Sequence, residues 1–149
     1  MLSQDFKDIL SAFIDEKVEF MVVGGYAIAF HGYVRGTGDI DLWIRMSDEN
    51  SSRVWRALKT FGAPLLNLKI EDLLVPTTVF QMGLPPNRID IITSIKNVEY
   101  DEALARHSII EFSGLTIPII GLNELLKNKV AMNRPKDQGD IAWLSDKIF

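Results

Sequence analysis

Two aspartates at alternate positions of a short apolar segment constrain the fold more than any other feature of this sequence. In segment 39–45, aliphatic residues alternate with Asp39, Asp41 and Trp43. A period of two predicts a β-strand with one buried face, and it places both carboxylates together on the other face. An Asp-x-Asp pair also arises by chance, so the pair alone leaves a solvent-facing strand edge as an equal alternative.

A third strand carboxylate and a glycine pair strengthen the functional interpretation. Asp90 lies between two isoleucines in a second strand pattern, and Gly24-Gly25 ends the β-branched segment 18–23. Asp is uncommon in strands, and clustered carboxylates repel one another unless a cation lies among them. Mg²⁺ prefers such all-oxygen surroundings and is commonly completed by substrate phosphates. Glycines between a strand and a helix let the backbone approach an anion closely.

Composition excludes several other classes of site. The chain has 149 residues, 47% of them hydrophobic, and no cysteine. A disulfide framework, a thiolate zinc site and a cysteine nucleophile are therefore excluded. The net charge of -4 argues against a protein that coats duplex nucleic acid. Without repeats or linker-like runs, we expect one domain over residues 1–149.

The hydropathy pattern indicates mixed secondary structure. Helices are predicted over 2–17, 26–31, 47–61, 70–74, 97–107, 122–132 and 136–148. Strands are predicted over 18–23, 39–45, 77–81, 88–93, 108–112 and 115–120. Helices and strands that do not strictly alternate favour an α+β fold, a mixed sheet with helices packed on one face and the carboxylates on the other.

The sequence gives no sign of a membrane protein. No segment approaches the roughly 20 apolar residues that span a bilayer, and the acidic N-terminus does not resemble a signal peptide. We therefore expect a soluble, cytoplasmic protein without a membrane partner.

Three segments together resemble the polymerase-β-type nucleotidyltransferase superfamily. They are Val-Val-Gly-Gly-Tyr-Ala at 22–27, Arg-Gly-Thr-Gly-Asp-Ile-Asp-Leu at 35–42 and Arg-Ile-Asp-Ile at 88–91. The resemblance is strongest to a small bacterial branch similar to abortive-infection nucleotidyltransferase toxins, which shares the C-terminal pattern around 127–141. The broad superfamily has Gly-Ser where this chain has Gly24-Gly25, a difference that removes one hydroxyl from the phosphate site.

The resemblance implies a role for each matching residue. Asp39, Asp41 and Asp90 would be catalytic and would hold two Mg²⁺ ions, with Asp90 also helping to deprotonate the attacking hydroxyl. The nucleotide, ATP or another nucleoside triphosphate, would be bound by Gly24, Gly25, Arg35, Thr37, Lys127 and Lys129. Lys136 and Asp137 would be neighbours of this site. Trp43 would either stack on a base or simply cover the sheet, the commoner role of such a tryptophan.

The implied reaction is Mg²⁺-dependent transfer of a nucleoside monophosphate to an acceptor hydroxyl on a tRNA end, a protein or a small molecule. One alternative is an antibiotic-modifying nucleotidyltransferase. Another is a catalytically inactive nucleotide-binding protein that acts as a toxin–antitoxin partner. A homodimer is a further expectation, because small relatives can complete a cleft in that way. All catalytic alternatives require the three carboxylates to converge within about one metal-coordination shell.

Overall fold

The computed structural model describes residues 2–33, 36 and 38–149. Its strands are β1 Phe20–Val23, β2 Asp39–Ile44, β3 Val79–Met82, β4 Arg88–Ile92, β5 Ser108–Phe112 and β6 Leu115–Ile119. Its α-helices are α1 Gln4–Asp15, α2 Gly24–Phe30, α3 Asp48–Phe61, α4 Tyr100–Leu104, α5 Leu122–Met132 and α6 Gln138–Ile148. Short 3₁₀ helices cover Ile70–Leu74 and Pro135–Asp137.

The strands form one mixed sheet in the order β3-β4-β2-β1-β6-β5. β2 pairs in parallel with β4, and β1 pairs in parallel with β6, whereas the other pairs are antiparallel. All four residues of β1 are buried, so both faces of this strand are covered. The predicted α+β class with a mixed sheet is confirmed.

Helices α1 and α3 begin at serine caps, and α3 also ends at a glycine. Ser3 and Ser47 accept backbone hydrogen bonds from the first turns of α1 and α3, and Gly62 ends α3 in the left-handed conformation. These two helices pack against each other. Buried Asn50 ties α3 to the sheet by donating to the carbonyls of Glu19 and Arg45 at 3.0 and 2.8 Å.

Several predicted elements are shorter than the sequence pattern indicates, and for two of them the backbone shows the cause. The helix expected over 97–107 is only α4, because Asn97 adopts a positive φ of 66° and Ile95 bridges to Val98. Asn tolerates the left-handed region better than other side chains, so a turn replaces the first helical turn. Likewise, Thr77 at φ 63° delays the start of β3 to Val79.

Among the described residues, every helix is too short or too polar to cross a bilayer.

Candidate functional site

The register of three adjacent strands brings the predicted carboxylates together. Asp41 of β2 lies opposite Asp90 of β4 on one side and opposite Val23 of β1 on the other. Asp39 lies opposite Arg88 in the same parallel β2–β4 pair. Because side chains alternate along a strand, Asp39, Asp41, Arg88 and Asp90 share one face of the sheet. We call these four residues the carboxylate end of the site.

The glycine pair follows β1 and lies directly against this cluster. Gly24 has a positive φ of 70°, and a β-carbon at this position would collide with the carboxylate of Asp41. Only glycine fits both requirements, so the turn from β1 into α2 can pass close to the Asp41 side chain. Position 24 therefore requires glycine both for its positive φ and for its closeness to Asp41.

Arg88 is the cation that holds the carboxylate end together. Its Nη2 donates to Asp39 Oδ2 at 2.7 Å, and its Nε donates to Asp90 Oδ1 at 3.0 Å. A further contact joins Arg88 Nη2 to Asp90 Oδ2 at 3.2 Å. The hydrogen bonds and charge of Asp90 in turn raise the pKa of the Arg88 guanidinium. Among the residues described here, three carboxylates thus face one guanidinium.

Burial and the excess of negative charge together raise the pKa of Asp41. Burial raises the pKa of its carboxyl, and the charge and hydrogen bonding of Asp90, followed by the charge of Asp39, raise it further. The nearby Lys129 lowers it in part, and the result is a pKa of about 7. An added cation would stabilise the ionised form of a carboxyl whose pKa is raised in this way.

The carboxylates lie on the wall of a cleft of about 650 Å³. Gly24, Gly25 and the carboxylate end line one part of it. Lys129, Arg134, Lys136, Asp137 and Asp140 line another part, from α5 and the residues that follow it. An apolar stretch is contributed by Val79, Ile92, Ile95 and Met132. Acidic, basic and apolar groups therefore face the same space.

The basic part of the cleft is a second charged cluster, which we call the lysine end: Lys129, Arg134, Asp137 and Asp140. Lys129 Nζ lies 3.3 Å from Asp137 Oδ1 and 3.1 Å from Asp140 Oδ2, and all three side chains are buried. Arg134 forms a fork on Asp137 at 2.8 and 3.0 Å. Burial alone raises the pKa of Asp137, but hydrogen bonds and charge from Arg134 and the charge of Lys129 outweigh it and lower the pKa to about 2.

The structure separates the two lysines that the sequence could not distinguish. Lys129 lines the cleft, whereas Lys127 lies outside its lining and contacts Glu102 at 2.8 Å. Lys136 and Asp137 both line the cleft, as expected for neighbours of the site. The predicted nucleotide-binding residues Arg35 and Thr37 fall outside the described residues. All of these binding roles stay predictions.

Trp43 covers the sheet and does not reach the cleft. Only 2% of it is exposed, its indole nitrogen donates to the Thr93 carbonyl at 3.3 Å, and its ring meets Tyr100 edge-on. Sequence reasoning missed Arg88 and Asp140 as members of the site. The position of Arg88, two residues before Asp90 in one strand, was the available signal for the first; Asp140 lay in the matching C-terminal pattern.

The carboxylate end suits a hard divalent cation in the chemistry of its donors. All three acids offer oxygen ligands, and the raised pKa of Asp41 shows that added positive charge would be favourable there. As the side chains stand, however, no group of three acidic, histidine or cysteine side chains in the described ranges is placed to hold a metal ion. In this arrangement, two of the three acids are bonded to the guanidinium of Arg88.

Comparisons with known proteins establish the fold. No family model matches the chain, and no curated protein matches its sequence. The structure is similar to a crystal structure of a "putative nucleotidyltransferase" from Thermotoga maritima, with a TM-score of 0.62 and 16% sequence identity. The match covers 95% of this chain and 91% of the other. The chain has a nucleotidyltransferase-like fold. At this identity the likeness concerns the fold, and the toxin-like branch stays a prediction.

Proposed function

We propose that the protein is a nucleotidyltransferase that moves a nucleoside monophosphate from a nucleoside triphosphate to an acceptor hydroxyl. The observation that carries the proposal is the β2–β4 register, which sets Asp41 opposite Asp90 beside the Gly24 turn. A nucleotidyltransferase-like fold supplies the context. The excess of carboxylates in a cleft that also contains basic side chains suits a cation together with a phosphate chain.

Each of the three acids of the carboxylate end has a role in this reaction. Asp39, Asp41 and Asp90 would hold Mg²⁺, with two ions expected. Once bound, the metal would neutralise phosphate charge and stabilise the entering and leaving oxygens. Asp90 would accept the proton of the attacking hydroxyl as the hydroxyl oxygen bonds to the α-phosphorus. The bond from that phosphorus to the bridging oxygen breaks, and pyrophosphate leaves.

The test is binding of each nucleoside triphosphate with and without Mg²⁺, measured by equilibrium dialysis. We expect Mg²⁺-dependent binding by the natural chain and its loss in the double variant Asp39→Asn/Asp41→Asn. Asp146→Asn, an exposed carboxylate on α6 away from the cleft, is the matched control and should bind as the natural chain does. Labelled nucleotide and candidate acceptors would then be screened for transfer.

Two results would contradict the proposal. Equal binding by the natural chain and the double variant would place the nucleotide elsewhere. Binding that does not depend on Mg²⁺ and is followed by no transfer would favour the non-catalytic alternative, a nucleotide-binding partner protein. That alternative draws on one observation, the ion pairs by which Arg88 engages two of the three acids without a metal.

A further inference from the structure

Arg88 engages two of the three carboxylates that the proposed function assigns to the metal. Its fork spans Asp39 and Asp90, at 2.7 and 3.0 Å, and so bridges β2 and β4. An arginine has five donors and no acceptor, so it cannot itself become a metal ligand. A divalent cation among these acids would lie next to the positive guanidinium, and the two would repel. The ion pairs and a bound metal therefore compete for the same oxygens.

The guanidinium is placed so that it can leave without disturbing the sheet. The backbone of Arg88 is fixed by its pairing with Asp39 on the parallel strand. Its side chain is 28% exposed and lines the cleft, beside the exposed segment 83–87 that precedes β4. The pair with Asp39 is partly exposed on both sides, and ion pairs of that kind are weak. Rotation of one side chain is enough to free both carboxylates.

A phosphate chain in the cleft offers the displaced guanidinium a better partner. Planar guanidinium groups bind phosphate oxygens through two parallel hydrogen bonds, which a spherical ammonium group cannot do. We propose that Arg88 exchanges between the carboxylates Asp39 and Asp90 in the nucleotide-free protein and the phosphates of the nucleotide, and so competes with the divalent cation until nucleotide binds. This inference rests on the proposed function.

The exchange couples the two ligands. Nucleotide that draws Arg88 away raises the affinity for the cation, and the cation must by linkage raise the affinity for nucleotide equally. Arg88 thus disfavours metal binding without nucleotide and binds the phosphates once nucleotide is present. Loss of its guanidinium should therefore change the two affinities in opposite directions, a result that a purely structural role would not produce.

The experiment measures Mn²⁺ binding to nucleotide-free protein by calorimetry and, separately, ATP binding at saturating Mn²⁺. Relative to the natural chain, Arg88→Gln should bind Mn²⁺ about fivefold more tightly and ATP about fivefold more weakly. Lys96→Gln is the matched control, since it removes one exposed positive charge from the same cleft. It should change Mn²⁺ affinity by less than about twofold. An equal gain in Mn²⁺ affinity in both variants would indicate a general effect of removing positive charge from the cleft, and it would overturn the proposal.

Arg88→Lys keeps the charge and guards against misfolding of the glutamine variant. Relative to the natural chain, it should also tighten Mn²⁺ binding, by about twofold, because the guanidinium fork is lost. Mn²⁺ binding that is unchanged or weaker in both variants would overturn the exchange, and the proposed function would stand if Asp41→Asn then abolished Mn²⁺ binding. No Mn²⁺ binding by any form, with or without ATP, would overturn both the exchange and the proposed function.

Discussion

The carboxylate end and the lysine end of the cleft contain the same kinds of side chain but differ in their balance. At the lysine end, two acids meet two bases, and Asp137 is held strongly ionised with a pKa of about 2. At the carboxylate end, three acids lie beside one base, Arg88, and the pKa of Asp41 is raised to about 7. One cluster is internally satisfied, and the other has an excess of negative charge.

That difference predicts which end stabilises the folded protein and which end an added cation would stabilise. Removing one partner of a buried ion pair is costly, because the other charge is left buried without compensation. Clustered like charges do the opposite, because they oppose folding until a cation binds. We therefore expect substitutions at the two ends to change the free energy of unfolding in opposite directions.

The largest effect is expected at the lysine end. Asp137→Asn leaves Arg134 without its ionic fork and weakens the partnership of buried Lys129, so it should lower the free energy of unfolding by about 3 kcal/mol. Because the pKa of Asp137 is lowered by folding, its stabilisation is present above pH 4 and is lost as pH falls towards 2. The difference between variant and natural chain should shrink over that range. Urea unfolding measures it.

The exposed Asp146 on the same helix α6 supplies the control. Asp146→Asn should change the free energy of unfolding by less than ~0.5 kcal/mol. An equally small effect of Asp137→Asn would show that the lysine end is not the stabilising cluster, and the comparison between the two ends would fail.

The turn beside Asp41 gives the next effect in size. Gly24→Ala combines a positive φ with a collision against the Asp41 carboxylate, whereas Gly62→Ala has the positive φ with open space around it. We expect a loss of about 1 kcal/mol for Gly62→Ala and about 2–3 kcal/mol for Gly24→Ala. Equal losses would mean that the close approach of Gly24 to Asp41 carries no energetic consequence. Thermal unfolding of the two variants makes the comparison.

At the carboxylate end, neutralising an acid should stabilise the fold. In the folded chain the pKa of Asp41 is about 7, above its ordinary 3.8, so the folded chain binds this proton more tightly than the unfolded chain does. The free energy of unfolding therefore declines as pH rises from 4 to 7 and the Asp41 carboxyl ionises. Asp41→Asn removes the decline and should raise the free energy of unfolding at pH 8 by about 2 kcal/mol. At pH 4 the gain should nearly vanish. A loss of stability at pH 8 would contradict this view of the carboxylate end.

Local alternation predicted the strands and the shared face of Asp39 and Asp41, whereas the resemblance alone indicated that Asp90 would lie near them. Asp39 and Asp41 share a face by periodicity alone, and Asp90 needed only the β2–β4 pairing to join them. The partners of each charge could not be predicted in this way. Whether Arg88 bonds Asp39 or faces solvent, and whether Lys129 is buried, depend on tertiary contacts that no local pattern encodes.

The two lysines of α5 show that limit most directly and give the smallest expected effect. They are two residues apart, yet Lys129 is buried against Asp137 while Lys127 contacts Glu102 outside the cleft lining. Lys127→Ala should therefore change the affinity for nucleoside triphosphate by less than about twofold, because an exposed ion pair outside the cleft lining contributes little. Equilibrium dialysis with Mg²⁺ measures it. A tenfold loss would mean that nucleotide binding moves α5 enough to bring Lys127 into the cleft, and the division into two ends would then hold only for the nucleotide-free protein.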